Sequence, residues 1–106
     1  MELLVVLCTV PDAAVAERIA TALVEERLAA CVNLVPGATS IYRWEGKLQR
    51  DAELLLVIKT AAERLAALTA RVQALHPYEV PEIIALPITM GARPYLDWIT
   101  ESTKPA

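Results

Sequence analysis

The hydrophobic and polar residues of this chain recur in patterns that predict four strands and three helices. A continuous apolar run with β-branched members, residues 3–9, predicts a strand that is buried on both faces. Asp12 is placed to cap a helix over residues 13–30. That helix is amphipathic, with apolar residues at helical spacing at Val15, Ile19, Leu23 and Leu28.

A long extended segment follows, over residues 31–45, and a further strand follows over residues 52–60. Pro36-Gly37 interrupts the long segment and predicts a bulge or bend. Residues 45–47, Glu-Gly-Lys, predict the turn between the two strands.

The second half of the chain predicts two helices separated by a strand. Residues 60–63, Thr-Ala-Ala-Glu, read as a capping box at the start of a helix that ends before Pro77. Residues 83–86 predict the fourth strand, and Pro94 suits the first turn of a short last helix. Residues 102–106 are expected to form a frayed tail.

The order of these elements predicts one α+β domain over residues 1–106, a ferredoxin-like βαββαβ sandwich with an extra C-terminal helix. Its antiparallel sheet would have the strand order 4-1-3-2. The face without helices should then be open, yet the strands are apolar on both sides, so we expect other subunits to cover that face. The same order places Cys8, at the end of strand one, near the loop that precedes strand four.

Amino-acid composition and charge limit the kinds of partner and the cellular compartment that we expect. Hydrophobic residues make up 56% of the 106 residues, and the formal net charge is −3. The acidic balance and the scattered basic residues argue against a nucleic-acid partner, and no apolar run is long enough for a membrane span. Two cysteines do not make a disulfide scaffold, and no basic leader is present, so we expect a cytoplasmic protein.

The most chemically varied stretch is residues 76–82, His-Pro-Tyr-Glu-Val-Pro-Glu, which includes the only histidine. Thiolate and imidazole are ligands for copper and zinc, so Cys8 and His76 form a candidate metal site, with Glu79 and Glu82 as weaker candidates. The alternative is that Cys8 is a small core residue and His76 a helix-ending polar group. A nucleophile–base role for the same pair lacks a third orienting group, so we predict no enzyme and no organic cofactor.

A second set of polar and aromatic residues lies around the long hairpin and predicts a cleft between subunits. Aromatic walls could enclose an anion held by basic side chains, or the same residues could simply pack the interface between subunits. The set is Tyr42, Arg43, Trp44, Glu45, Lys47, Glu53, Lys59 and Tyr78.

Several motifs, in order, resemble the CutA divalent-cation tolerance family. They are residues 26–37, ERLAACVNLVPG; 39–47, TSIYRWEGK; 76–82; and 95–98, YLDW. The resemblance implies a cytoplasmic homotrimer linked to tolerance of copper and other divalent metal ions, with an architecture similar to PII-type signalling proteins. Copper ligands in some members are a cysteine after the first strand and a histidine pair before Pro-Tyr. Cys8 and His76 match, but Leu75 replaces the other histidine, so the expected copper binding is weak. The alternatives are a PII-like trimer that senses a small organic ligand and a structural trimer that presents a surface to partner proteins.

Overall fold

Four strands and three α-helices follow one another in the predicted order in the computed structural model, which describes residues 2–106. The elements are β1 (Leu3–Val10), α1 (Ala13–Glu25), β2 (Cys31–Trp44), β3 (Lys47–Ala61), α2 (Leu65–Leu75), β4 (Ile84–Pro87) and α3 (Arg93–Ser102). A short 3-10 turn, Ala62–Arg64, joins β3 to α2.

The sheet has the order β2-β3-β1-β4, and every neighbouring pair is antiparallel. β1 pairs with β3 from Leu3 opposite Ala61 to Val10 opposite Leu54. On its other edge β1 pairs with all of β4. The predicted fold class and strand order are therefore confirmed, and the end of β1 lies beside the loop between α2 and β4.

Helices α1 and α2 pack on one face of this sheet and enclose the main core. Alternate residues of β1 face the helices, and the α1 residues Ile19 and Leu23 are fully buried against them. Asp12 caps α1 as predicted, because its Oδ1 accepts from the N–H of Val15 at 2.9 Å. The buried members of this core from the sheet are Leu4, Val6, Cys8, Val10, Leu56 and Ile58.

Helix α1 ends at Glu25, several residues before the predicted end at residue 30. Arg27 adopts a left-handed conformation with φ of 60°, which no helix can continue. The next N–H, that of Leu28, turns back to the carbonyl of Leu23 at 2.9 Å, as in a Schellman motif. Apolar periodicity alone extended the prediction too far, because Leu28 packs into the same core from outside the helix.

The predicted capping box at residues 60–63 is wrong. Thr60 remains in β3, opposite Leu4, and its buried hydroxyl donates to the carbonyl of Leu28 at 2.6 Å. A long-range hydrogen bond inside the core thus replaces the local cap. The expected frayed tail is also partly wrong, since α3 includes Ser102 and Thr103 is buried with its hydroxyl on the carbonyl of Ile99.

Strands β2 and β3 run past the rest of the sheet as a two-stranded arm, which we define as residues 38–53. Strand β3 begins at Lys47, earlier than predicted, and only its part from Leu54 onward pairs with β1. The predicted bulge lies between Val35 and Ala38, where Gly37 has φ of 87°. The turn at the tip has positive φ at both central residues, Glu45 and Gly46, as in a type I′ hairpin.

The face of the sheet without α1 and α2, here called the open face, is only partly covered by the chain itself. Helix α3 packs across one end, where Ile99 meets Leu3 and Ala61. Beyond α3, apolar side chains of β2 and β4 remain about half exposed, among them Val35, Ile84 and Leu86. The apolar surface expected on both sides of the sheet is therefore present in the single chain.

Candidate functional site

The loop between α2 and β4 is fixed to the end of β1 by His76, which also ends α2. The Nε2 atom of His76 lies 2.8 Å from the carbonyl oxygen of Thr9. Because a carbonyl can only accept, Nε2 carries the proton. The Nδ1 atom therefore accepts, and it does so from the N–H of Tyr78 at 3.1 Å. His76 is only 7% exposed, so both ring nitrogens of a buried side chain serve to hold the loop in place.

Tyr78 connects this loop to the base of the arm. Its ring centroid lies 4.6 Å from that of His76, and its hydroxyl donates to Oε2 of Glu53 at 2.7 Å. Glu53 is 6% exposed, and this hydrogen bond satisfies its buried carboxylate. Burial, followed by the hydrogen bond to Glu53, raises the pKa of Tyr78.

A second tyrosine on the arm repeats this arrangement. The Tyr42 hydroxyl donates to a carboxylate oxygen of Asp51 on the neighbouring strand. This hydrogen bond is the main reason that the pKa of Tyr42 is raised. Both tyrosines therefore stay neutral at physiological pH, with their hydroxyl groups turned toward carboxylates of β3.

Cys8 lies behind the loop, in the core. The side chain has no exposed surface, and burial raises the pKa of its thiol to about 12, with further contributions from the charges of Glu82 and Glu53. A neutral thiol is a poor metal ligand and a poor nucleophile, because both roles belong to the thiolate.

An open cleft of about 610 Å³ separates the loop from the arm. Its charged lining residues are two exposed carboxylates, Glu79 and Glu82, and three aromatic rings contribute to its walls. The lining is Thr9, Ser40, Ile41, Tyr42, Trp44, Tyr78, Glu79, Val80 and Glu82.

The structure brings part of each predicted set together. Tyr42, Trp44 and Tyr78, predicted for the cleft, meet Glu79 and Glu82, predicted for metal binding. The other predicted residues of the cleft are not among its lining. Glu53 lies behind Tyr78, Lys59 donates to the side chain of Asn33 on the open face, and Arg43, Glu45 and Lys47 are exposed at the tip of the arm.

The donor atoms of the predicted metal site do not form a ready-made set of ligands. Within residues 2–106, no group of three or more His, Cys, Asp and Glu side chains is arranged to hold a metal ion. His76 uses both ring nitrogens in hydrogen bonds, and Cys8 is buried. Glu79 and Glu82 are the candidates that line the cleft.

Sequence reasoning missed several residues that shape the cleft. Thr9, Ser40 and Val80 line it, and Asp51 anchors Tyr42. The contact between Tyr42 and Asp51 could have been inferred from a two-residue turn at the tip of the arm. Such a turn places Ser40 opposite Asp51, and Tyr42 lies two residues further along the same face of β2.

Comparison with known proteins gives a consistent result. A family model described as "CutA1 divalent ion tolerance protein" matches residues 4–102. The divalent-cation tolerance protein CutA of Thermus thermophilus is 64% identical over 99 residues, which cover 93% of this chain and 96% of that protein. Human protein CutA is 53% identical over 96 residues, which cover 91% of this chain but 54% of that protein. This chain thus spans about half the length of its human relative.

Solved structures agree with the fold. A Thermus thermophilus divalent cation tolerance protein (Cut A1) superposes with a TM-score of 0.94 at 62% identity, covering 96% of this chain and 99% of the other. The CutA1 structure from Oryza sativa gives a TM-score of 0.96 at 51% identity, covering 100% of this chain and 97% of the other. Over residues 2–106, no helix has both the length and the apolarity that a membrane span requires.

Proposed function

The chain belongs to the CutA1 family of divalent ion tolerance proteins, and we propose that it acts in divalent-cation tolerance as a homotrimer that binds divalent metal ions weakly. One observation supports the metal-binding part above all. The charged groups that line the cleft, Glu79 and Glu82, are both carboxylates with exposed side chains. Carboxylate oxygens attract divalent cations, and an acidic cleft raises their local concentration.

The predicted ligands explain why this binding would be weak. The pKa of the Cys8 thiol is about 12, which is about five units above pH 7. Forming the thiolate at pH 7 therefore costs about 7 kcal/mol. Recruiting His76 requires breaking its bond to Thr9 or to the Tyr78 N–H. We therefore expect Cu(II) to bind first to Glu79 and Glu82, with His76 contributing only when the loop rearranges and Cys8 contributing least. The expected dissociation constant is micromolar or weaker.

Calorimetric titration with Cu(II) in a non-chelating buffer tests this proposal. The double variant Glu79→Gln/Glu82→Gln should weaken binding about tenfold, from the loss of two partly exposed charges. His76→Ala should also weaken it. A matched double variant on the helical side, Glu17→Gln/Glu63→Gln, removes the same charge away from the cleft and should leave the affinity unchanged. Equal affinities in all four proteins would contradict a site in the cleft.

The homotrimer is supported by the arm and the open face. The arm exposes Leu48 at 76%, and the open face exposes Ile84 at 52% and Leu86 at 48%. Apolar groups spread along a projecting hairpin and a sheet face are typical of surfaces that other subunits cover. The number three comes from the resemblance of the sequence to the CutA family.

Light scattering after size-exclusion chromatography tests the oligomeric state. A single species with three times the chain mass of 11.6 kDa is expected at micromolar concentration. Leu48→Glu, which places a charge on the most exposed apolar residue of the arm, should promote dissociation, whereas Gln73→Glu on α2 should not. A stable, folded monomer of the unmodified chain would contradict the trimer.

A PII-like role in sensing an organic ligand is the second candidate function. The observation that favours it is the size of the cleft, because about 610 Å³ lies within the range of small-molecule sites and far exceeds the space of one metal ion. We propose no catalytic role for Cys8, because its thiol is neutral and buried. A cytoplasmic location for this protein stays a prediction, because one relative is named chloroplastic and another periplasmic.

A further inference from the structure

We propose that the cleft between the loop and the arm binds an organic dication, a small molecule with two protonated amino groups separated by a short apolar chain. This inference rests on the second candidate function and names the chemical class of its ligand. Three features of the cleft support it: the sign of its charge, the chemistry of its walls and its size.

The charge of the cleft selects a cation. Glu79 and Glu82 line it, whereas the basic residues of the arm, Arg43, Lys47 and Arg50, are outside its lining. Two further carboxylates, Asp51 and Glu53, lie directly behind the tyrosines and add to the negative potential. An anionic ligand such as a nucleotide would meet the carboxylates of Glu79 and Glu82, with two more behind the tyrosines. No basic side chain of residues 2–106 lines the cleft to offset them, so an anion is disfavoured.

The walls of the cleft suit an ammonium group attached to carbon better than a bare ion. Tyr42, Trp44 and Tyr78 contribute aromatic rings, and the faces of such rings attract ammonium groups. Each tyrosine hydroxyl donates to a carboxylate, Asp51 or Glu53, which pushes electron density into the ring and strengthens this attraction. The same hydrogen bonds hold the rings in position before a ligand arrives.

The size and the apolar lining account for the chain between the two charges. Ile41 and Val80 contribute aliphatic surface to a cleft of about 610 Å³. A hydrated metal ion would leave this surface in contact with water, whereas a short alkyl chain would cover it. A diamine can place its ammonium groups against carboxylates and aromatic rings while its methylene groups contact Ile41 and Val80.

The position of the two tryptophans allows a direct binding measurement. Trp44 lines the cleft, whereas Trp98 lies on α3, where it stacks on Tyr95 with 5.4 Å between ring centroids. In a Trp98→Phe background, which keeps an aromatic ring beside Tyr95, all tryptophan fluorescence comes from Trp44. The probe is 1,4-diaminobutane, and 1,4-butanediol is the uncharged probe of the same length.

We expect 1,4-diaminobutane to change the Trp44 fluorescence saturably, and the diol to have no effect in the same range. Glu79→Gln/Glu82→Gln should weaken diamine binding about tenfold, while Glu17→Gln/Glu63→Gln should leave it unchanged. Tyr42→Leu, which removes one aromatic wall, should weaken it about threefold to tenfold. Measuring at two salt concentrations at constant pH should show weaker binding at the higher one.

The proposal is overturned if the diol matches the diamine, if the double variant binds the diamine as well as the unmodified chain, or if no saturable change occurs. The last result would also follow if a neighbouring subunit filled the cleft, and it would count equally against the proposal. Titrating the same proteins with Cu(II) separates this inference from the proposed metal site. Copper binding without diamine binding would overturn the diamine proposal and leave the metal proposal intact.

Discussion

His76 provides the sharpest test of the structure, because replacing it should unfasten the loop from the sheet. His76→Ala removes the donor to the Thr9 carbonyl and the acceptor for the Tyr78 N–H. Each group left without its partner costs about 1–3 kcal/mol when it is buried. The Tyr78 N–H is only partly buried, so the cost of leaving it without an acceptor lies at the low end. The lost packing of the imidazole ring adds to the cost of both broken hydrogen bonds. We expect a total loss of about 3 kcal/mol.

Urea unfolding at one fixed protein concentration, which keeps any subunit association constant, measures this loss. With a slope of about 2 kcal/mol per molar, the midpoint should fall by about 1.5 M. His76→Gln keeps one donor for Thr9 and should fall between the alanine variant and the unmodified chain. Gln73→Ala, on the exposed side of the same helix, is the control and should change the midpoint little.

The tautomer of His76 can be read independently from the nitrogen chemical shifts of its ring. The hydrogen bonds require a proton on Nε2 and none on Nδ1. A proton found on Nδ1 instead, or a midpoint for His76→Ala that equals that of Gln73→Ala, would refute this account of the loop. An exposed, mobile imidazole free to bind metal would then be the better description.

Three further predictions concern the core and α1. Thr60→Val keeps the shape of the side chain but leaves the Leu28 carbonyl without its donor, so urea unfolding should show a loss of about 1–3 kcal/mol; no loss would mean that water or another group replaces the hydroxyl. Asp12→Ala should cost about 1 kcal/mol by uncapping α1, whereas Asp12→Asn should cost little, and equal losses would show that the charge rather than the cap matters. The pKa of Cys8 is raised from 9.0 to about 12 in the folded state, so its contribution to stability is fully present below pH 9 and is lost as the pH rises toward 12, by at most about 4 kcal/mol. Between pH 8 and pH 11 the free energy of unfolding should therefore fall less steeply for Cys8→Ala than for the unmodified chain. Parallel curves for the two proteins would contradict a buried, protonated thiol.

The sequence predicted the topology because local and long-range signals agreed. Asp12 capped α1 as expected, Pro36-Gly37 marked the bulge, and Pro77 marked the end of α2. The strand order then placed the end of β1 beside the loop that contains His76, although the two are far apart in the chain. Each of these inferences used residue types whose backbone preferences are strong.

The prediction failed where a tertiary contact outweighed a local preference. Thr60 had the sequence of a helix cap, yet its hydroxyl bonds a carbonyl that becomes available only once the chain has turned at Arg27. The end of α1 was missed for a related reason, because Leu28 fits the apolar period while it packs from beyond the helix. Neither contact can be inferred from spacing along the sequence, since both depend on how the end of α1 meets β3.

For the site, the distinction that decides function is whether a polar group is already satisfied within the chain. No buried side-chain nitrogen or oxygen among residues 2–106 lacks a hydrogen-bond partner, and His76 and Glu53 are among those that are satisfied. Their hydrogen bonds stabilise the loop and the base of the arm, so a ligand would have to break them before using these groups. Glu79 and Glu82 are exposed and line the cleft, so they are not among these buried, hydrogen-bonded groups. Residue type directed attention to the histidine and the cysteine, but the pattern of hydrogen bonds favours the two exposed carboxylates as the groups that meet a ligand first.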